Sequence, residues 1–221
     1  MNEEDETAEL IRNSSINDEV IVPDFVYYES KNYPVVSIFE GAFFDCKTIK
    51  TIQFSTNSQI KLIDKNAFKY SSLKTITIPK SVVEIGESAF SCCKKIESIQ
   101  FEPESELKIL HDYSFYFSSL KSIIIPSSVV RICQFVFSES ENLRIIKFEE
   151  NSKLEIIENN AFNMIPIKEI RIPASVTHIG PYSFAYCNNL NYVEFENNSK
   201  LVSIDKKQFL SCPLLKLELP S

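Results

Sequence analysis

A phrase of apolar positions returns in phase from about residue 38 to the last residue. It is most legible over Phe115–Phe137, as F-x-x-S-S-L-x-x-I-x-I-P-x-S-V-x-x-I-x-x-x-x-F. Its key Phe falls at 43, 68, 90, 115, 137, 162, 184 and 209, in steps that alternate between 25 and 22 residues. Two unequal units therefore alternate, and a pair of them spans 47 residues. Periods of this length predict a solenoid, in which each unit buries its apolar face against its neighbours.

Within each unit an apolar triplet sits at positions 0, 3 and 5, as in Leu73/Ile76/Ile78 and Ile96/Ile99/Phe101. The last two members alternate with polar residues, which is the period of a strand. One short strand per coil, stacked in parallel, predicts a continuous sheet of eight strands, roughly 35–40 Å long at the usual strand spacing. Four triplets run into proline, at Pro79, Pro126, Pro173 and Pro220. Proline has no N–H to donate, so the ladder is expected to stop there. The other four end in Phe54, Phe101, Phe148 and Phe195 and enter polar turns. A second apolar pair follows either exit, for example Val82/Ile85, Leu107/Leu110 and Leu154/Ile157. It is expected as a short extended segment on the opposite side of the coil. The key Phe comes five residues later and is expected to point inward. Stacked, these rings would form a spine, each contributing roughly 2–3 kcal/mol by burial.

The beginning of the chain departs from the phrase. Residues 1–15 are polar and acidic and read as a frayed tail, with one or two helical turns through Ala8, Leu10 and Ile11 as the alternative. In residues 16–38, Val20–Pro23 reads as a strand, and two apolar runs flank Glu29–Asn32. This predicts a β-hairpin that caps the first coil, since an uncovered solenoid end would expose core. Residues 39–221 then form one solenoid domain together with that cap. The last letters, Leu217–Ser221, stop in mid-phrase. A monomer is expected, with an end-to-end dimer through this coil as the alternative.

Composition narrows the function. The formal net charge is -7 and the pI is near 5.1, which argues against a nucleic-acid partner. Three glycines leave little for phosphate-cradling loops, and the 17 Phe are mostly absorbed by the repeat. The sequence MNEEDETAEL is acidic and lacks the apolar stretch of a conventional secretory signal, and no run of 18 apolar residues predicts a membrane span.

The six cysteines include no C-x-x-C. Cys46, Cys93, Cys187 and Cys212 sit three residues after a key Phe, where Ser71, Ser118 and Ser140 stand in other units, so a small residue suits the slot. Free buried thiols are the first reading, and a bridge between Cys187 and Cys212 on successive coils is the alternative. Cys133 replaces the glycine found at Gly86 and Gly180, and His111 stands where sister units have Asp64, Glu158 and Asp205. His178 aligns with Glu84 and Arg131. Nothing in these phases converges a nucleophile with a base. No catalytic, cofactor-binding or metal-ligating set is expected.

The outward positions of the strands are the remaining candidates. The residues before the middle apolar position read Thr51, Thr75, Ser98, Ser122, Ile145, Glu169, Tyr192 and Lys216. Those after it read Gln53, Thr77, Gln100, Ile124, Lys147, Arg171, Glu194 and Glu218. The first half is small and uncharged apart from Ile124, and the second is charged and bulky. Ile124, Ile145, Lys147, Glu169, Arg171, Tyr192 and Glu194 are therefore the expected partner-binding patch, because Tyr and Arg are enriched at interface hot spots. The competing reading is β-propensity alone.

The run Ile78-Pro79-Lys80-Ser81-Val82-Val83-Glu84-Ile85-Gly86-Glu87-Ser88-Ala89-Phe90-Ser91-Cys92-Cys93 resembles the BspA-like class of leucine-rich repeats. A second match begins at Ile172-Pro173, and Tyr33 to Phe43 resembles the usual first unit of that class. The resemblance covers about residues 20–221. It implies a curved right-handed solenoid with a parallel sheet on its concave face, and a place among bacterial and protist surface proteins tied to adhesion and host-protein binding. It brings no catalytic motif. A non-enzymatic module that binds a protein at the cell surface or as a secreted protein is the resulting expectation. A cytoplasmic scaffold is the alternative, favoured by the acidic start and the unpaired cysteines.

Overall fold

A computed structural model describes residues 7–10 and 18–218, with side chains through Lys216. Over the described residues the chain is a parallel β-solenoid of about eight turns with almost no helix. Leu219 and Pro220 of the last triplet, Ile11 of the tail and the side chain of Leu217 lie outside this description.

Strands are numbered in chain order. The triplets form the concave strands β2 (Glu19–Val22), β5 (Thr51–Phe54), β7 (Thr75–Ile78), β9 (Ser98–Phe101) and β11 (Ser122–Ile125). The same face continues through β13 (Ile145–Phe148), β15 (Glu169–Ile172), β17 (Tyr192–Phe195) and β18 (Lys216–Glu218). In β7, Ile76 and Ile78 are buried while Thr75 and Thr77 are exposed, as the period of two requires.

The expected continuous ladder is broken. It divides into β2-β5-β7-β9, β11-β13 and β15-β17-β18. Proline explains the places. From an Ile-Pro strand to the Phe strand after it, all four residues pair, and the next N–H closes the ladder. Glu102 donates to the Ile78 carbonyl, Glu149 to Ile125 and Glu196 to Ile172, each at 3.0 Å. In the following step the corresponding donors would be Pro79, Pro126 and Pro173. Only two residue pairs join β5 to β7, and no ladder joins β9 to β11 or β13 to β15.

The second apolar pairs build the unbroken sheet. It runs through β4 (Lys31–Ile38), β6 (Leu62–Ile63), β8 (Glu84–Ile85), β10 (Ile109–Leu110), β12 (Arg131–Ile132), β14 (Ile156–Ile157) and β16 (His178–Ile179). Each coil offers only two residues to this face, yet all are in register, so Leu110 pairs with Ile132 and Ile132 with Ile157.

Between these faces stands the Phe column. All eight key rings stack with centroids 4.9–5.4 Å apart and planes within 10° of parallel. The residues two before and two after each of the first seven take left-handed φ, from Gly41 and Asp45 to Tyr182 and Tyr186. These turns aim the Phe N–H at the next coil: Phe43 donates to Ala67 and Phe68 to Ala89, both at 2.7 Å. The cysteine slot has a related task. Cys93, Cys187 and Cys212 donate S–H to the carbonyls of Phe68, Phe162 and Phe184 at 3.0–3.1 Å, and Ser140 serves Phe115 in the same way. All six cysteines are free thiols, including Cys187 and Cys212.

Of the stretch read as a frayed tail, residues 1–6 and 11–15 lie outside the described residues. Ala8–Leu10 is strand β1, paired in parallel with β4, and Ala8 is buried. The hairpin forms between β3 (Phe25–Tyr28) and β4, but every residue of β3 is exposed. Val22, Tyr33, Val35 and Ala8 supply the buried cover instead. With β2 paired to β5, and Ser37 and Ile38 paired to Leu62 and Ile63, residues 18–38 follow the repeat as a coil interrupted by a hairpin.

Candidate functional site

The two outward rows project from the concave strands as their spacing requires. Ile124 is 55% exposed and Ile145 52%, unusual for isoleucine in a chain whose other strand isoleucines from Ile52 to Ile172 are buried on this sheet. They are diagonal neighbours, because Ile145 pairs with Ser122 while Ile124 pairs with Lys147.

Where the ladder parts between β13 and β15 the surface carries a depression of about 460 Å³. Its floor includes Ile146, Phe148 and Ile170, and its walls include Ile145, Lys147, Glu169, Arg171, Tyr192 and Glu194. Six of the seven expected patch residues thus meet in one hollow, and Ile124 stands outside it on β11. The hollow sits beside Pro173, whose missing N–H leaves these strands unlaced.

Its electrostatics are mixed. Arg171 Nε lies 3.4 Å from Glu194 Oε1 and 3.5 Å from Glu196 Oε1, which ties this β15 guanidinium to two carboxylates of the neighbouring β17 coil. Lys216 lies over the Tyr192 ring at 5.5 Å from the centroid. Such exposed pairs are worth about 0–1 kcal/mol each and orient side chains more than they stabilise the fold. Arg144, Glu149, Glu150 and Glu196 also line the hollow. They were outside the expected patch because they flank strands instead of belonging to them. Arg144 immediately precedes β13, and the glutamates open the polar turns, so position beside a Phe-ending triplet was the available signal.

The lining offers guanidinium, ammonium, carboxylate and phenol groups around an apolar floor, a composition suited to contact. The two histidines lie elsewhere, on the two-residue strands' side of the coil. His111 Nε2 is 2.8 Å from Glu84 Oε2, and His178 is exposed in β16. Among the described residues, no helix is long and apolar enough to cross a membrane.

Comparison with known proteins agrees with this architecture. The family model described as BspA type leucine rich repeat region matches in six copies, over residues 29–109 and 108–221. No curated protein matches the chain. Among solved structures, a leucine rich cell surface protein from Faecalibacterium prausnitzii A2-165 is 26% identical with a TM-score of 0.75. That likeness covers 89% of this chain and 52% of the other, so the chain spans about half the length of that protein. A leucine-rich repeat protein from Bacteroides capillosus ATCC 29799 is 24% identical over 66% of this chain and 88% of its own, with a TM-score of 0.42. The pneumococcal vaccine antigen PcpA is 17% identical over 86% of this chain and 75% of its own, with a TM-score of 0.45. With the repeat model matched along most of its length and the Phe column and paired coils in place, the chain belongs to the BspA-type leucine-rich repeat family.

Proposed function

We propose that the chain is a protein-binding module whose concave face, centred on the β13–β17 hollow, holds a partner at a cell surface in adhesion or host-protein binding. The observation that carries this reading is the exposure of Ile145 in the hollow that Tyr192 and Arg171 line, with Ile124 exposed on the adjoining strand β11. Covering an isoleucine that is already about half buried contributes roughly 1 kcal/mol, about half of the full-burial value, which the free chain forgoes. Tyr and Arg at the rim are the residue types that most often anchor interfaces. The mixed charge around the hollow suits a partner that presents an apolar side chain flanked by both signs. Leucine-rich repeat proteins typically mediate protein interactions, and the Faecalibacterium relative is described as a cell surface protein.

Capture experiments with the purified chain and with Ile145→Glu/Tyr192→Ala test the site. The double variant should lose the partner retained by the wild type while its Tm falls by no more than a few degrees, because both side chains point away from the core. Undiminished capture would place the binding surface elsewhere. A second reading, an intracellular scaffold, is favoured by six unpaired thiols, which are more usual in a reducing compartment. Protease shaving of intact cells separates the two, since a protected chain contradicts the surface reading.

A further inference from the structure

Away from the concave surface, the coil stacking gathers donors that the sequence holds 21 and 25 residues apart. The position four before each key Phe from Phe68 onward forms a row along the solenoid: Asp64, Gly86, His111, Cys133, Glu158, Gly180 and Asp205. Because Leu110, Ile132 and Ile157 pair in register, the residues after them, His111, Cys133 and Glu158, follow one another on successive coils. Two Ile-Pro coils place glycine in this row for a steric reason. A Cβ on Gly86 would lie 2.8 Å from the Asp64 carbonyl carbon, and one on Gly180 would lie 2.5 Å from Asn159 Oδ1. The third such coil puts Cys133 there.

Cys133 is only 8% exposed. Cys93, Cys187 and Cys212 each donate to a carbonyl, whereas the Cys133 thiol has no hydrogen-bond partner among the described residues. Its sulfur faces two carboxylates instead. One ligand atom each from Asp112, Cys133 and Glu158 lie within 4.8 Å of one another. Both carboxylates are tied to the coil that carries Cys133: Asp112 Oδ1 accepts the Gln134 N–H at 2.9 Å, and Glu158 Oε1 accepts from Arg131 at 3.2 Å. Hydrogen bonds of this kind fix the orientation of carboxylate ligands.

We propose that Asp112, Cys133 and Glu158 form a site for a borderline-soft divalent cation such as zinc. One thiolate and two carboxylates match its donor preference, while calcium and magnesium take oxygen alone. The charges balance as well. Three anionic ligands meet a dication and the adjacent Arg131 guanidinium. Binding displaces the thiol proton to solvent, forms the metal–sulfur bond and leaves the remaining coordination to water.

The test uses the full chain, reduced and stripped of metal by a chelator, titrated with Co(II). One equivalent should produce a thiolate-to-cobalt charge-transfer band in the near ultraviolet that Zn(II) then discharges. Cys133→Gly should abolish the band while keeping the circular dichroism of the wild type, because sister coils carry glycine there. Asp112→Asn/Glu158→Gln retains the thiol and should weaken cobalt at least ~10-fold. A wild type without a charge-transfer band overturns the proposal. So does a band that survives in Cys133→Gly, which would assign the metal to another thiol such as Cys92, or an affinity unchanged in the double variant.

Discussion

Replacing Phe115 by alanine is the sharpest test of how this solenoid holds together. Phe115 is fully buried, with Phe90 and Phe137 stacked on its two faces, each at 5.3 Å between ring centroids. Truncation removes the ring's transfer free energy and leaves a cavity that backbone hydrogen bonds above and below keep from collapsing. The Phe90 N–H is tied to Ser114 O at 2.7 Å, and the Phe115 N–H to Val136 O at 2.9 Å. The expected loss is about 3–5 kcal/mol. Each coil contacts mainly its neighbours, so the defect should also weaken coupling between the two halves and broaden the unfolding transition. Urea denaturation followed by circular dichroism measures both the midpoint and the slope. Phe117, two residues on, supplies the control. It has φ of +51 and is half-buried, and Lys94 sits over its ring. Phe117→Gly loses those contacts but relieves a left-handed conformation worth about 1–2 kcal/mol in a non-glycine residue, so the two effects nearly cancel. A Phe115→Ala loss under about 1 kcal/mol with an unchanged slope, or equal losses at both positions, would refute the column as the source of stability.

Two further outcomes probe the cysteine slot and the coil contacts. Burial, chiefly, pushes the Cys93 thiol up to about 12 from its ordinary value of 9.0. Above that lower value the unfolded chain releases a proton that the folded chain retains. Stability should therefore be intact below pH 9 and fall by about 1.4 kcal/mol per pH unit from this group as pH rises toward 12. Cys93→Ser, the residue used at Ser71 and Ser140, should remove that part of the alkaline slope in pH-dependent urea titrations, and an unaltered slope would contradict the assignment. Gly180→Ala would place a Cβ 2.7 Å from the Asn159 nitrogen and 2.8 Å from the Glu158 carbonyl carbon. A loss of roughly 1–3 kcal/mol is expected from the midpoint shift, and a neutral result would mean that the neighbouring coil yields freely.

The regular parts of this molecule were legible because they depend on period. A ring every 25 or 22 residues has one way to be buried, and the column at Phe43–Phe209 follows from it. The strand alternation at Thr75–Ile78 is equally local. The N-terminal coil was hidden by spacing. Thirty-two residues separate Glu19 from Thr51, because a hairpin occupies the turn, and the phrase disappears under that insertion. Ala8–Leu10 gave no signal because three residues carry no period, and their partner strand, not their composition, makes them a strand. The prolines were visible as ladder stops, but the unserved carbonyls belong to Phe101 and Phe148 in the preceding coils. Only the register identifies them.

The same limit governs the sites. A repeat makes conformity easy to see and turns every departure into a substitution of uncertain meaning. Ile124 and Ile145 stood out because each breaks a mostly polar row, and the hollow gives the departure at Ile145 a shape. Cys133 also broke a row, yet it read as a glycine replacement because its chemistry depends on Asp112 in the coil before and Glu158 in the coil after. Stacking converts sequence distances near 22 and 25 into contacts, so any cross-coil site here must draw its members from the same few phases of the repeat. In such a fold, the residues brought together at adjacent phases of consecutive coils are the unit to examine, since no one of them alone distinguishes tolerance from purpose.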